Sequence, residues 1–199
     1  METREDEKGN SAEKIQIGEL KYKTPWWNFV GYVVWAVLCF LPAGAKFSGL
    51  EVLSFFAQLS TIKFPSIVIY AAIAFFIAAI APTISSMRYR IKSGGCHSED
   101  DTVILLRSGL YRIVRHPTDT AFTVFFVTPP IFLSKLIPFT ILSIIGVILI
   151  IALNYYASVD EEKLNIKKWG DEYRRYMKEV PRWNIVRGLW NLRKRRVRK

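Results

Sequence analysis

The chain of 199 residues is 51% hydrophobic and 14% aromatic, yet 23% of its residues are charged and its net charge is +11. The charges are segregated: residues 24–45, 64–87 and 136–159 contain none, giving uncharged runs of 22, 24 and 24 residues. Each run is long enough to cross a hydrocarbon core of roughly 30 Å as a helix, whereas a soluble helix of that length carries charge on one face. This excludes an ordinary soluble domain, a disordered chain and a disulfide-stapled secreted scaffold; the two cysteines, Cys39 and Cys96, imply no disulfide framework.

In chain order, residues 1–24 are polar, with six acids and five bases, and read as a cytosolic tail. Residues 25–87 read as the N-terminal transmembrane helices. The first crossing is predicted from Trp26 to near Leu41, with Pro25 at its start, two tryptophans at headgroup level, and Pro42 and Gly44 breaking it. Residues 48–61 are apolar but too short to cross. The second crossing is predicted from about Phe64 to Met87, with Pro82 near its inner end. Residues 88–117 form a long polar connection with a turn at Gly94-Gly95. A third helix is expected from Pro117, short or kinked because of Pro129-Pro130. The fourth runs from Leu136 and continues past the membrane to about Lys168, ended by Gly170. A further helix begins at Asp171 and is stopped by Pro181. Residues 184–199 read as a basic C-terminal tail.

Lys and Arg number five before residue 25, six from Arg88 to Arg115 and fourteen from Lys163 onward; the remaining connections carry Lys46, Lys63 and Lys135. Basic loops face the cytoplasm, so the expectation is an all-α, multi-pass integral membrane protein with four crossings and both termini cytosolic. The region of residues 88–119 and the C-terminal helices would then lie on the cytosolic side. The first 25 residues have no apolar core, so no signal peptide is expected there.

Two constellations carry chemistry. One is Gly109-Leu110-Tyr111-Arg112-Ile113-Val114-Arg115-His116-Pro117. The other is Asp160-Glu161-Glu162, followed by Gly170, Tyr173, Tyr176 and Val180-Pro181. Carboxylates at the mouth of a membrane helix are costly to desolvate unless paired, and Arg and His on the facing wall would pair them. Cys96-His97 lacks further ligands nearby, so no metal site is expected. The terminal basic run, with Trp183 and Trp190 ahead of it, is read as attracted to anionic headgroups rather than to nucleic acid.

Taken together, GLYRIVRHP, the acidic pair and WGDEYRRYMKEVPR resemble the isoprenylcysteine carboxyl methyltransferase and phospholipid methyltransferase superfamily, over roughly residues 94–183. The resemblance implies an integral-membrane enzyme that moves a methyl group from S-adenosylmethionine to a lipid or prenylated acceptor, with residues 88–183 as its cofactor-binding half. It further implies that the backbone of Val103, Ile104, Leu105 and Leu106 contacts the cofactor, along with Tyr111, His116, Pro117, Asp119 and Glu161. Arg115 and Glu162 are the expected catalytic pair. Counting back from Gly170 selects Glu161 as the cofactor glutamate. Two positions depart from the family pattern. Asp119 stands where an aromatic Tyr is usual, and Ala157 stands where the prenylcysteine enzymes carry a substrate-binding Arg. A free prenylcysteine carboxylate is therefore expected to be a poor acceptor, and a neutral or cationic one a better acceptor. The alternatives are an NADPH-dependent sterol-type reductase, whose counterpart of the acidic pair differs, and a non-enzymatic scaffold that binds anionic lipid. Oligomeric state is not legible in the sequence.

Overall fold

The computed structural model describes residue 20 and residues 24–92, 96–98, 101–102 and 104–197. They form α1 (Trp26–Ser48), α2 (Ser54–Ala57), α3 (Ser66–Lys92), α4 (Pro117–Phe132), α5 (Ile141–Glu179) and α6 (Ile185–Val197). Single turns of tighter helix occupy Glu51–Leu53 and Gly109–Arg112. A minimal antiparallel pair joins β1 (Cys96–Ser98) to β2 (Asp101–Thr102). The fold is otherwise helical, as the all-α expectation requires. Among the described residues, α1, α3 and α5 are long and apolar enough to cross a membrane. The 16 residues of α4 extend about 24 Å at 1.5 Å per residue, shorter than the hydrocarbon core.

The described chain packs as two units, one comprising residues 25–85 and 117–157, the other residues 86–116 and 158–197. The 88–183 stretch therefore contributes to both.

In the first unit, α1 does not stop at Pro42. It continues through Pro42 and Gly44 to Ser48 and ends where Gly49 adopts a left-handed conformation, φ 64°. Pro42 is fully buried, and packing on this face outweighs the backbone hydrogen bond that its ring removes. Trp35, Cys39 and Ile150 form the core, with Tyr32, Phe126 and Leu153 against it. Close helix approach is allowed by two glycines. A Cβ at Gly31 would lie 2.2 Å from Leu153 Cδ1, and one at Gly146 would lie 3.0 Å from Cys39 Sγ. The Tyr32 hydroxyl donates to Asn154 Oδ1 at 2.7 Å, and the Trp35 and Phe126 rings meet edge-on at 4.9 Å. Phe76 of α3 packs on Phe125 and Phe132 of α4.

The proline pair 129–130 lies inside the final turn of α4, and the helix ends at Phe132, as its expected shortness requires. The α5 helix starts at Ile141, five residues after the charge-free run begins. The reason is a reciprocal cap: Thr140 Oγ1 accepts from Leu142 N–H at 3.3 Å and Ser143 Oγ accepts from Thr140 N–H at 3.2 Å. Its uncharged part, residues 141–159, is the stretch suited to lipid; residues 160–179 are charged and lie beyond it. The axis breaks at Gly170, whose φ of 48° and ψ of −125° are non-helical, so the expected stop is a sharp change of direction between two helices.

In the second unit, Tyr173, Tyr176 and Val180 form a small core with Leu105, Ile166, Trp169 and Met177 around it. The basic segment read as a tail folds as α6 over Ile185–Val197. Its first turn is capped by Asn184, whose Oδ1 accepts from Arg187 N–H at 2.9 Å.

Candidate functional site

The centre of the second unit is Glu162, whose side chain is 3% exposed. It lies on α5 one turn past the apolar stretch. Two segments converge on it. From the loop after the Gly109–Arg112 turn, Arg115 donates to Glu162 Oε1 through Nε at 2.9 Å and Nη2 at 2.7 Å. From beyond the end of α5, Arg182 donates through Nε to Oε1 at 3.0 Å and through Nη2 to Oε2 at 2.6 Å. His116 Nε2 lies 3.3 Å from Oε1. The Arg115 Nη1 donates to the carbonyls of Met177, at 2.8 Å, and Val180. All three guanidinium nitrogens of Arg115 are thus engaged by protein.

Backbone contacts hold the same two segments side by side. Arg115 N–H donates to Pro181 O at 3.0 Å and His116 N–H to Arg182 O at 3.3 Å. Pro181 has no N–H to give back to a helix, so the helix stops before it and its carbonyl is left to accept from the loop. The Tyr176 hydroxyl donates to Tyr111 O at 2.6 Å, and the Arg107 guanidinium sits 5.5 Å above the Tyr176 ring while its Nη2 donates to Glu172 O. The G-x-x-Y-x-x-Y spacing after Gly170 places both tyrosines on one helical face, and that face carries the loop.

Glu161 differs from its neighbour. Its side chain is 30% exposed, and Oε2 lies 3.3 Å from His116 Nδ1. The imidazole is therefore held between two carboxylates that point in different directions, since adjacent helical residues diverge by about 100°. Burial alone would raise the Glu162 carboxyl, but hydrogen bonds from His116 and Arg182 and the charge of Arg115 outweigh it and hold the group well below the usual carboxylate range.

Of the residues expected from sequence, the structure brings together Arg115, His116, Glu161 and Glu162. Tyr111 is half-buried, with its ring 6.1 Å from that of Tyr89. Leu106 is buried, Leu105 packs on the tyrosine core and Ile104 is exposed; Val103 lies outside the described residues. Pro117 and Asp119 open α4 and belong to the other unit, where the Asp119 carbonyl accepts from Thr123 Oγ1 at 2.8 Å. The sequence reading missed Arg182 as a site residue, although it closes the EVPR run that was quoted for the resemblance. An Arg directly after a helix-stopping proline is the signal that pointed to it.

No protein-family model matches the chain, and no curated protein matches it.

Proposed function

We propose that the protein is an integral-membrane methyltransferase of the isoprenylcysteine carboxyl methyltransferase type, dependent on S-adenosylmethionine. One observation carries the reading. Three sequence pieces of the resemblance, RHP, Glu-Glu and VPR, supply Arg115, Glu162 and Arg182, 47 and 20 residues apart along the chain, and these meet on one buried carboxylate. In the proposed topology α4 is the third, short crossing, and both termini and the Glu162 cluster are cytosolic, in keeping with the basic segments.

The residues present fit the cofactor by their donor chemistry. Glu161 keeps a half-exposed carboxylate suited to an ammonium or a ribose hydroxyl, and apolar and aromatic groups from Leu105, Leu106 and Tyr111 suit an adenine. S-adenosylmethionine supplies, when bound, a sulfonium methyl group already activated for in-line displacement. The work left to the chain is orientation. His116 orients Glu161. Arg115, Glu162 and Arg182 lock the loop against the helix end; we assign this expected catalytic pair to positioning, because both side chains are consumed by each other and by backbone. The acceptor is a lipid or lipidated molecule.

Titration calorimetry with S-adenosylhomocysteine in detergent tests the reading. Micromolar binding that Glu161→Gln weakens supports it. Binding of NADPH instead indicates the reductase, and binding of neither indicates the scaffold. Labelled S-adenosylmethionine incubated with a total lipid and membrane-protein extract would then name the acceptor class.

A further inference from the structure

The basic C-terminal helix takes no part in the Glu162 cluster, and its two faces are unlike. The inner face is fixed to the rest of its unit. Gly188 lies so close to the loop that a Cβ there would be 1.9 Å from Ile113 O. Asn191 Nδ2 donates to Glu179 O at 3.0 Å, and Arg195 donates to Arg112 O at 2.8 Å and pairs with Glu179 at 3.3 Å.

The outer face consists of two adjacent rows at i, i+4 spacing, Ile185–Leu189–Arg193 and Val186–Trp190–Lys194. Each row is apolar for two positions and then cationic. The apolar members are conspicuously bare: Val186 is 79% exposed, Trp190 58%, Leu189 50% and Ile185 49%. Lys194 Nζ sits 5.3 Å from the Trp190 ring. From residue 180 to the end the sequence has no acid, and from Ile185 onward it has seven Lys and Arg. Single exposed apolar residues are ordinary, but four contiguous ones flanked by cations, on a chain with membrane-crossing helices, need an environment that is apolar below and anionic above.

We propose that α6 is an in-plane surface helix that docks its Ile185, Val186, Leu189 and Trp190 face on a bilayer leaflet containing anionic phospholipid, with Arg193 and Lys194 on the headgroup phosphates. The bilayer interface accommodates both halves of this face: Trp and branched side chains enter the acyl boundary, and long basic side chains reach back to the headgroups. A nucleic acid would match the cations but leave the apolar rows in water. This surface is separate from the proposed cofactor site and does not depend on it.

The test uses the full chain in nanodiscs of phosphatidylcholine alone or mixed with phosphatidylserine, each containing lipids brominated near the headgroup. Subtracting the signal of Trp190→Phe isolates the quenching of Trp190. Strong quenching is expected with phosphatidylserine and weak quenching without it. Each cation near an anionic surface is worth about fivefold in the docking equilibrium, so Arg193→Gln with Lys194→Gln should reduce it on the order of twentyfold. Val186→Asp should abolish docking while leaving the basic charge intact. The proposal is overturned if Trp190 is unquenched in the anionic discs, if quenching is equal in neutral discs, or if the double variant quenches like wild type. Loss of quenching on adding an oligonucleotide, with no difference between the two lipids, would overturn it in favour of nucleic acid.

Discussion

Two consecutive glutamates occupy opposite situations, and this makes their substitution outcomes separable. Glu162 is surrounded by Arg115, Arg182 and His116. Removing its charge leaves two cations without a counter-charge in a buried site, which costs about 3–5 kcal/mol. Glu162→Gln is therefore expected to lower the melting temperature sharply, while Glu161→Gln, with a half-exposed side chain, leaves it nearly unchanged. Under the proposed function the ligand effects are reversed: Glu161→Gln should weaken S-adenosylhomocysteine binding about tenfold to a hundredfold, the worth of one charge-assisted contact. Calorimetry and thermal melts on both variants decide, and equal affinity losses per folded molecule would move the cofactor contact to Glu162. The pH dependence follows from the same geometry. Because the folded-state carboxyl of Glu162 is held below its ordinary range, the unfolded chain takes up a proton at a higher pH than the folded one. The stabilisation is full at neutral pH and is lost as the pH falls below the ordinary carboxylate range. Acid melts of wild type and Glu162→Gln should converge as the pH drops.

At the level of elements, two glycines that let chain segments approach closely predict different costs. At Gly31 the nearest atom to an added Cβ is the end of the Leu153 side chain, which can rotate away; Gly31→Ala should cost about 1 kcal/mol. At Gly188 the nearest atom is a backbone carbonyl, that of Ile113. Nothing there can rotate, so Gly188→Ala must push α6 off the loop. Loss of about 1–3 kcal/mol and faster proteolysis between Trp183 and Arg187 are expected, and protection equal to wild type would show that α6 is held by its polar contacts instead. The elements also show which punctuation marks are local. Gly170 changes the chain direction as its position suggested, and the α5 helix ends at Glu179 just before Pro181. Pro42 does not end α1, because its burial in a packed interface compensates for one absent backbone hydrogen bond. The terminal helix was not foreseen because its charge pattern masks a two-row apolar face.

Across the whole molecule, the proposed topology places residues 46, 63 and 135 on one side of the membrane and residues 96 and 199 on the other. Membrane-impermeant thiol labelling of single cysteines at these positions in sealed cells should modify only the first set; labelling of residue 199 but not of residue 135 would leave an odd number of crossings and exclude α4 as a span. The acceptor reading is tested at the same scale. Wild type should methylate an aminophospholipid better than a farnesylated cysteine analogue, and Ala157→Arg should shift that preference toward the carboxylate. Efficient wild-type turnover of the prenylcysteine, unchanged by the added arginine, would refute it.

The helices long enough to cross a bilayer were legible in the chain by itself, because the cost of placing a charge in hydrocarbon is a local property that any charge-free run records. The same holds for the kink at Gly170 and the stop at Pro181, which follow from backbone stereochemistry at single residues. The site was legible as a set of residue types, Arg115, His116 and the two glutamates, but not as an arrangement. Which glutamate is buried depends on the rotation of α5 against a loop 47 residues earlier and a segment 20 residues later. The entry of Arg182 depends on the backbone pairing of Arg115 and His116 with Pro181 and Arg182. Electrostatic pairing over such separations is satisfied only after the chain has folded, so tertiary structure alone decided that Glu162 anchors the loop while Glu161 keeps an accessible carboxylate.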